Sequence, residues 1–323
     1  MQDYLLSLVV PVYNEEHCLP SFYAELAAVL KELGTRHEIV FVDDGSTDAS
    51  LRIIERFQAE DPAVAVVALS RNFGHQKALT AGMDFAAGDV VITLDSDLQH
   101  PPALIPQLLQ RWRAGAKVVH AIRRDTEKAG WLKSATSGGY YRLINALSAT
   151  PIVVNAADFR LLDRQAVDLL KSMKEQHRFL RGMIGWLGLA EDSIDFVAPR
   201  RAAGKSKYTW RKMFSLATDG IVSFSVKPLR VALWLGMLSI AVNAIYAIYI
   251  FFGYFFLSGI IKGWPSLILL IMFLGSVQLV LLGIIGEYLG RTYEQSKGRP
   301  LYVVGRLYPG RVSSRPAAAG SPR

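Results

Sequence analysis

Residues 90–102 read VVITLDSDLQHPP, a short apolar run that ends abruptly in two aspartates. The run is β-prone and bounded by polar residues, as buried strands usually are. Asp95 and Asp97 would therefore lie at the mouth of a buried strand, where an unpaired charge is costly. One interpretation is a capped loop, because Asp and Ser favour turns and Pro101 and Pro102 suit a helix start. The other is a site for Mg²⁺ or Mn²⁺, hard cations that bind carboxylates and bridge them to substrate phosphates.

The same kind of run recurs through the first 123 residues, alternating with segments of helical periodicity. We predict strands at 6–13, 37–44, 64–70, 90–95 and 117–123, and helices at 16–33, 47–60, 77–86 and 101–112. This alternation predicts an α/β fold with an open, mostly parallel sheet covered by helices. Such sheets bind ligands at the carboxyl ends of their strands. Because three of the predicted strands end in acidic clusters, a cation–phosphate site is favoured over unrelated turns.

Glycine-rich phosphate loops are missing from the sequence. No G-x-G-x-x-G follows the first predicted strand, and no Walker-type loop occurs. Both observations argue against a dinucleotide dehydrogenase or a P-loop nucleotidase, so a phosphate would be held through metal and cationic side chains. The single cysteine, Cys18, excludes an intramolecular disulfide and a cysteine-rich metal site.

Charge is distributed unevenly along the chain. The formal net charge is +8, yet residues 1–198 carry 20 Lys and Arg against 25 Asp and Glu. Residues 199–230 and 287–323 are strongly basic, and they flank a region, 231–286, whose only charged residue is Lys262. No nucleic-acid-reading motif accompanies the basic segments, so we expect no nucleic acid partner.

The apolar region predicts a membrane hairpin. It contains charge-free stretches of 31 and 24 residues, at 231–261 and 263–286, whereas about 20 apolar residues suffice to cross a bilayer. The short link around Lys262 permits only antiparallel neighbours, with helices at about 231–257 and 265–287. Basic flanks place both ends in the cytoplasm by the positive-inside rule. Two core helices of a soluble protein are the alternative, which these lengths disfavour.

Four segments follow from these patterns. We predict a cytoplasmic α/β domain at 1–208, a juxtamembrane amphipathic helix at 209–228, the transmembrane hairpin at 229–290 and a cytoplasmic tail at 291–323 with a disordered end. The basic helix at 209–228 suits the headgroup plane, although a core-facing helix remains open. The N-terminus lacks the basic flank of a signal peptide. We therefore expect a multi-pass protein of the inner (cytoplasmic) membrane with both termini in the cytoplasm.

Taken together, the motifs resemble those of family 2 glycosyltransferases with the nucleotide-sugar-binding GT-A fold. More narrowly, the chain resembles polyprenyl-phosphate glycosyltransferases of the GtrB and dolichyl-phosphate mannose synthase type. The likeness runs from residue 5 to about residue 302. The motifs that carry it are PVYNEE at 11–16, VDDGSTD at 42–48, SRNFG at 70–74, DSDLQHPP at 95–102, NAADFRLLDR at 155–164, RAAGKSKY at 201–208 and GEYLGRTYE at 286–294.

The resemblance implies a role for each matching position. The nucleotide would be bound by Pro11, Tyr13, Glu15, Val42, Asp44, Asp95 and Ser96. The cofactor, Mg²⁺ or Mn²⁺, would be held by Asp95, Asp97 and Gln99. The phosphates of donor and acceptor would be gathered by Arg123, Arg201 and Lys207. Asp158 would stand beside the acceptor as the candidate base.

Two of these roles have competing interpretations. A phosphate with a second pKa of about 6 is mostly dianionic at neutral pH and hardly needs a base. Asp158 would then orient Arg160 or the acceptor instead. Arg201 and Lys207 would also suit an anionic-lipid patch, and both roles are compatible because the acceptor is an anionic lipid.

The implied reaction is an inverting transfer of a hexose from a UDP-sugar to undecaprenyl phosphate on the cytoplasmic membrane face. The product would be a polyprenyl-phosphate-linked sugar donor for cell-envelope glycosylation. Glucose is the best match, with GDP-mannose, UDP-N-acetylhexosamine and UDP-aminoarabinose as alternative donors. Because two anions must approach each other, the reaction needs a cation on the departing diphosphate and fixed positive donors around the attacking phosphate.

Three further points bound this interpretation. A processive polysaccharide synthase would carry Q-x-x-R-W after the catalytic acid, but the only RW here is at 111–112, preceded by Leu108 where Gln should stand. The alternative function that is not enzymatic is a membrane scaffold. The sequence nevertheless has every residue that is expected to bind the metal and the phosphates. Gly236 and Gly275 would permit helix packing, so a homo-oligomer stays open.

Overall fold

The computed structural model describes residues 4–123, 156–197, 227–256 and 263–310. The strands are β1 (Leu6–Val12), β2 (His37–Asp43), β3 (Val64–Leu69), β4 (Val90–Thr93), β5 (Val118–Arg123), β6 (Ala156–Asp163), β7 (Glu191–Phe196) and β8 (Val304–Tyr308). The helices are α1 (Leu19–Leu33), α2 (Ser50–Glu60), α3 (His75–Phe85), α4 (Ile105–Arg113), α5 (Arg164–Ser172), α6 (Leu180–Trp186), α7 (Lys227–Phe256) and α8 (Trp264–Ser296). A 3₁₀ turn at Pro102–Leu104 precedes α4.

All eight strands form one sheet in the order β7-β5-β6-β4-β1-β2-β3-β8. Strands β1 to β4 are mutually parallel, β5 is parallel to β7, and only β6 and β8 run against their neighbours. Strand β1 is buried throughout, because apolar residues alternate towards helices on both faces. The prediction of an α/β fold with a mostly parallel sheet is confirmed.

Strand β6 was not predicted, and it decides where the site lies. It pairs antiparallel with β4, with Thr93 opposite Arg160 and Val90 opposite Asp163. Its amino-terminal end therefore meets the carboxyl ends of the parallel strands. Asp158 is brought to the edge where Asp95 follows β4, and the Thr93 hydroxyl donates to the Asp158 carbonyl oxygen at 2.7 Å.

Helices α7 and α8 pack as an antiparallel hairpin. A Cβ on Gly236 of α7 would lie 3.8 Å from the Leu281 Cδ1 atom of α8. Large apolar side chains on both helices face outward, and Trp234 and Leu279 are 68% and 71% exposed. Among the described helical residues, Leu270–Ser296 is long and apolar enough to cross a membrane, with a mean hydropathy of 2.0. Ala232–Tyr246 is a shorter apolar stretch.

The chain after α8 returns to the α/β domain. Strand β8 pairs antiparallel with β3 at the sheet edge. The Tyr302 hydroxyl donates to Asp84 Oδ2 and the Tyr308 hydroxyl donates to Glu55 Oε1, each at 2.7 Å. This strand lies in the segment that the sequence indicated as a tail, and its mixed composition gave no strand signal. The predicted amphipathic helix falls mostly outside the described residues.

Candidate active site

The loop after β4 presents two carboxylates at the sheet edge. Asp95 is one-third exposed, and Asp97 Oδ1 accepts the Gln99 backbone N–H at 3.1 Å. Leu98, between Asp97 and Gln99, has a φ of 60°, in the left-handed region that a leucine rarely occupies. Strain of this kind persists only where the surroundings enforce it, and it concentrates at functional sites. The turn makes Asp95 and Asp97 part of one tight loop.

His100 supports Asp95 from below the loop. Its Nδ1 atom lies 3.0 Å from the Asp95 backbone N–H, which donates to it. The ring is buried, stacks on Phe159 with centroids 5.4 Å apart and meets Phe196 edge-on. The same Nδ1 atom lies 3.5 Å from Asp95 Oδ2, but because it accepts the N–H, this approach is not an ion pair. His100 therefore fixes the backbone at Asp95.

The donor set of this loop fits a hard divalent cation. Asp95 Oδ1 lies 3.7 Å from the His75 ring and Oδ2 lies 3.5 Å from the His100 ring. Within the described ranges, no three His, Cys, Asp or Glu side chains form a metal cluster. A cation here would thus take two carboxylates from Asp95 and Asp97 and its other oxygen ligands from substrate and water, an arrangement typical of Mg²⁺. Gln99 is turned towards Arg123, whose Nη1 donates to its Oε1 at 3.0 Å.

Asp158 is surrounded by cationic and amide donors. Arg160 donates to its Oδ1 atom, and Arg181 donates through Nε and Nη2 to both oxygens at 3.2 and 3.3 Å. His75 Nε2 lies 3.2 Å from Oδ2, and Gln76 Nε2 lies 3.5 Å from it. Asp158 and Arg160 reach the same place because alternate residues of a strand share a face.

The charge balance of this cluster holds Asp158 ionised. Burial would raise the pKa of Asp158, but the charge of Arg181, the hydrogen bond from His75 and the charge of Arg160 outweigh it. The pKa therefore lies well below its ordinary 3.8. Burial likewise lowers the pKa of His75, yet the carboxylates of Asp95 and Asp158 raise it to about 9. His75 is thus a cation shared by Asp95 and Asp158, and it joins the two acidic groups electrostatically.

Three loops meet at the carboxyl ends of β1, β2 and β3. Asp44 Oδ1 and Oδ2 accept the backbone N–H groups of Phe73 and Gly74 at 2.7 and 2.9 Å. Gly45 has a φ of 70°, and a Cβ there would lie 2.5 Å from the Arg71 carbonyl carbon. Only glycine permits this approach, so Gly45 and Asp44 hold the SRNFG loop against the end of β2.

The residues predicted to bind the nucleotide fall into two groups. Tyr13 is 42% exposed, Glu15 is half-buried, and both follow β1 at this edge. The side chains of Val42 and Ser96 are buried at 0% and 2% exposure. Pro11 is buried within β1, opposite Val42, and Asp44 is buried with both oxygens bonded to backbone. Among these predicted nucleotide residues, Tyr13 and Glu15 present accessible side chains together with Asp95.

The cations predicted to gather phosphates are only partly described. Arg123 is the last residue of β5 and is exposed. It contacts the loop after β4 through its hydrogen bond to Gln99. Arg201 and Lys207 lie outside the described residues. Sequence reasoning missed Arg181, and it expected His75 and His100 near the site in surface or supporting positions rather than as metal ligands. Arg181 lies in a basic stretch, HRFLRG at 177–182, but the stretch itself does not indicate its partner.

Comparison with known proteins agrees with this arrangement. Residues 7–170 match the family model of glycosyl transferase family 2, and residues 227–292 match that of the GtrB C-terminal hairpin. The bactoprenol glucosyl transferase of Shigella phage SfV is 41% identical over 93% of this chain and 97% of its own length. The prophage bactoprenol glucosyl transferase homolog of Escherichia coli is 40% identical over 94% and 99%. An uncharacterised glycosyltransferase of Bacillus subtilis is 39% identical over 94% of each chain.

A more distant similarity is found among solved structures. Glucosyl-3-phosphoglycerate synthase of Mycobacterium tuberculosis superposes with a TM-score of 0.49 at 20% identity, over 68% of this chain and 78% of its own. That likeness is too low to carry an inference. The two family matches and the relatives of nearly equal length decide the assignment: this chain is a glycosyltransferase of family 2 with a GtrB C-terminal hairpin.

Proposed function

We propose that this enzyme transfers glucose from a UDP-sugar to undecaprenyl phosphate on the cytoplasmic face of the membrane, with inversion at the anomeric carbon. The observation that carries the proposal is the placement of an open carboxylate pair beside a dense cationic cluster at one sheet edge. Relatives of 40 and 41% identity are named for bactoprenol glucosyl transfer. Donor sugars other than UDP-glucose remain alternatives within the same reaction.

The donor side is built from the ends of β1, β2 and β4. Tyr13 and Glu15 would contact the nucleoside, and Asp95 and Asp97 would hold Mg²⁺ or Mn²⁺ against the diphosphate. The bound cation would neutralise the charge that develops on the departing diphosphate. The chain's own part is to fix the carboxylates, which the left-handed Leu98 and the His100 contact accomplish.

The acceptor side is built from β5, β6 and α6. The lipid phosphate is an anion, so it needs fixed positive donors near the sugar. Arg123, which donates to Gln99, and Arg181, which donates to Asp158, are two of the described cations at this sheet edge. We place the acceptor phosphate between them, with Arg201 and Lys207 of the following segment completing its surroundings.

Asp158 would orient cations rather than accept a proton. A group whose pKa lies well below 3.8 is a weak base at neutral pH. Its two oxygens are occupied by Arg160, Arg181 and His75. The acceptor phosphate needs no deprotonation when it is already dianionic. In this proposal Asp158 keeps Arg181 and His75 aimed at the reacting groups.

The hairpin would hold the enzyme at the bilayer that contains the acceptor. Large apolar side chains on α7 and α8 are exposed, and hydrocarbon would cover them. We propose that both helices span the inner membrane, with the α/β domain and both termini on the cytoplasmic side.

The test is sugar transfer into organic-extractable lipid. Purified enzyme, undecaprenyl phosphate and Mn²⁺ or Mg²⁺ would be combined in turn with labelled UDP-glucose, other UDP-sugars and GDP-mannose. We expect metal-dependent transfer from UDP-glucose, lost with EDTA and in the Asp97→Ala variant. Metal-dependent transfer from a different donor would correct the sugar. No transfer from any donor, by folded protein that binds UDP, would overturn the proposal and favour a scaffold.

A further inference from the structure

The last turn of α8 is fastened to the loop between α5 and α6, residues 173–179. Gln295 makes two bonds to the backbone of this loop: its Oε1 accepts the Gln176 N–H, and its Nε2 donates to the Lys174 carbonyl, each at 2.8 Å. Beside it, Glu294 Oε2 lies 2.6 Å from His177 Nε2. The Gln176 side chain in turn donates to the Arg299 carbonyl.

The middle of the α5–α6 loop depends on such bonds because it has no buried side chain: Lys174, Glu175 and His177 are exposed, and Gln176 is half-buried. Next to it, Arg178 is buried and donates to the carbonyls of Leu170 and Met173. A segment with little apolar burial keeps one conformation mainly through its hydrogen bonds. Gln295, which bonds the backbone of Lys174 and Gln176, therefore restrains the first half of the loop, and Arg178 ties the second half to Leu170 and Met173.

The other end of the loop enters the active site. The Leu180 N–H, at the start of α6, donates to Gln76 Oε1 at 3.1 Å, and Gln76 Nε2 faces Asp158. The next residue, Arg181, forms the bidentate pair with Asp158. The backbone from Gln176 to Arg181 thus runs directly from the membrane helix to the proposed acceptor phosphate.

We infer that Gln295 is a positioning residue, which sets Arg181 against the acceptor phosphate through the α5–α6 loop. The amide acts at one remove from the chemistry. It couples the position of α8 in the bilayer to the geometry of the site. The inference rests on the proposed function for the identity of the acceptor, but the link itself is a property of the fold.

The expected kinetic signature is selective. In Gln295→Ala, kcat with undecaprenyl phosphate falls about tenfold, the loss expected when a positioning contact worth about 1.4 kcal/mol is removed. The KM for the nucleotide sugar stays at the wild-type value, since Tyr13, Glu15 and Asp95 do not touch the loop. The kcat of Gln295→Glu falls similarly, because this variant loses the donor to the Lys174 carbonyl and places a carboxylate against that carbonyl.

A double-mutant cycle separates positioning from general stabilisation. If Gln295 acts through Arg181, then Gln295→Ala in the background of Arg181→Lys causes no further loss, whereas independent contributions add. The matched control is Gln58→Ala, which removes another glutamine that holds the C-terminal segment, at the Pro309 carbonyl. Gln58 lies on α2, away from the α5–α6 loop, so we expect this variant to keep wild-type kinetics.

Hydrogen exchange tests the link without any turnover. In Gln295→Ala the Gln176 amide loses protection and the Leu180 amide exchanges faster, while the Phe41 and Val66 amides of the sheet are unchanged. Wild-type protection of the Gln176 and Leu180 amides in Gln295→Ala would overturn the inference. A wild-type kcat of this variant, or an additive double-mutant cycle, would overturn it as well. Wild-type enzyme without transfer from any donor would instead defeat the proposed function, and the exchange result would still decide the link.

Discussion

Asp95 and Asp158 lie at one edge of the same sheet and share His75 between them, yet their carboxylates have opposite surroundings. Asp95 follows β4 in a strained loop, is one-third exposed and faces two imidazole rings. Asp158 lies near the start of β6, is nearly buried and is held by two arginines as well as His75. Two aspartates at the same sheet edge can therefore have different roles, and the surroundings of each carboxylate decide which. A carboxylate left open suits a metal ion, whereas a carboxylate already neutralised suits the orientation of cations.

The largest effect on activity is expected at Asp95. Asp95→Asn removes a metal-ligand charge without changing shape, and we expect transfer to fall about 10³-fold, as for other losses of transition-state electrostatics. Measured as initial rates across a Mn²⁺ titration, the variant should need far more metal. Asp168→Asn is the matched control, because Asp168 is exposed and pairs with Arg164 one turn away on α5. A variant Asp95→Asn with normal metal dependence would contradict the assignment.

At Asp158 the same substitution should affect stability as well as rate. Asp158→Asn leaves Arg160 buried without its countercharge, so we expect a loss of about 3 kcal/mol in the free energy of unfolding at neutral pH. Transfer should fall about 10²-fold as Arg181 loses its orientation. Chemical denaturation and steady-state rates measure the two effects.

The pH dependence distinguishes an orienting Asp158 from a base. Its folded pKa is depressed, so the stability it contributes is present above 3.8 and is lost only as the pH falls through the still lower folded value. The ionisation of Asp158 itself should therefore add no change to the stability gap between wild type and Asp158→Asn from about pH 7 to 5, and a change in that range reports His75, whose raised pKa depends in part on Asp158. A wild-type rate profile with an acid limb between about pH 5 and 7, absent in the variant, would make Asp158 the base after all.

A smaller effect on activity is expected at His100, which contacts the Asp95 backbone. His100→Phe keeps a ring against Phe159 but removes the acceptor of the Asp95 N–H. An unsatisfied buried donor costs about 1–3 kcal/mol, so we expect roughly tenfold slower transfer with weaker activation by Mn²⁺. His37→Phe, at the opposite end of β2, should leave the rate unchanged. Equal rates for both variants would show that Asp95 needs no such support.

Much of this architecture could be predicted from local pattern. The first five strands and four helices follow from hydrophobic periodicity, which a segment carries in its own residues. Differences at their ends are small and have local causes: α1 begins at Leu19 with Pro20 in its first turn, and a 3₁₀ turn precedes α4. Strands β6, β7 and β8 escaped prediction because charged residues, among them Asp158, Asp192 and Arg306, interrupt their apolar pattern.

Composition and spacing are local properties. The sequence alone therefore predicts that two aspartates end a buried strand and that an apolar region follows a globular domain. The partners of each carboxylate depend on the tertiary structure. His75 is 83 positions from Asp158, and Arg181 is 23 positions away. The reversed direction of β6 brings them together, and the return of the chain after α8 places Gln295 on their supporting loop. Such contacts depend on strand pairing and helix packing across long separations, which no short stretch of sequence encodes.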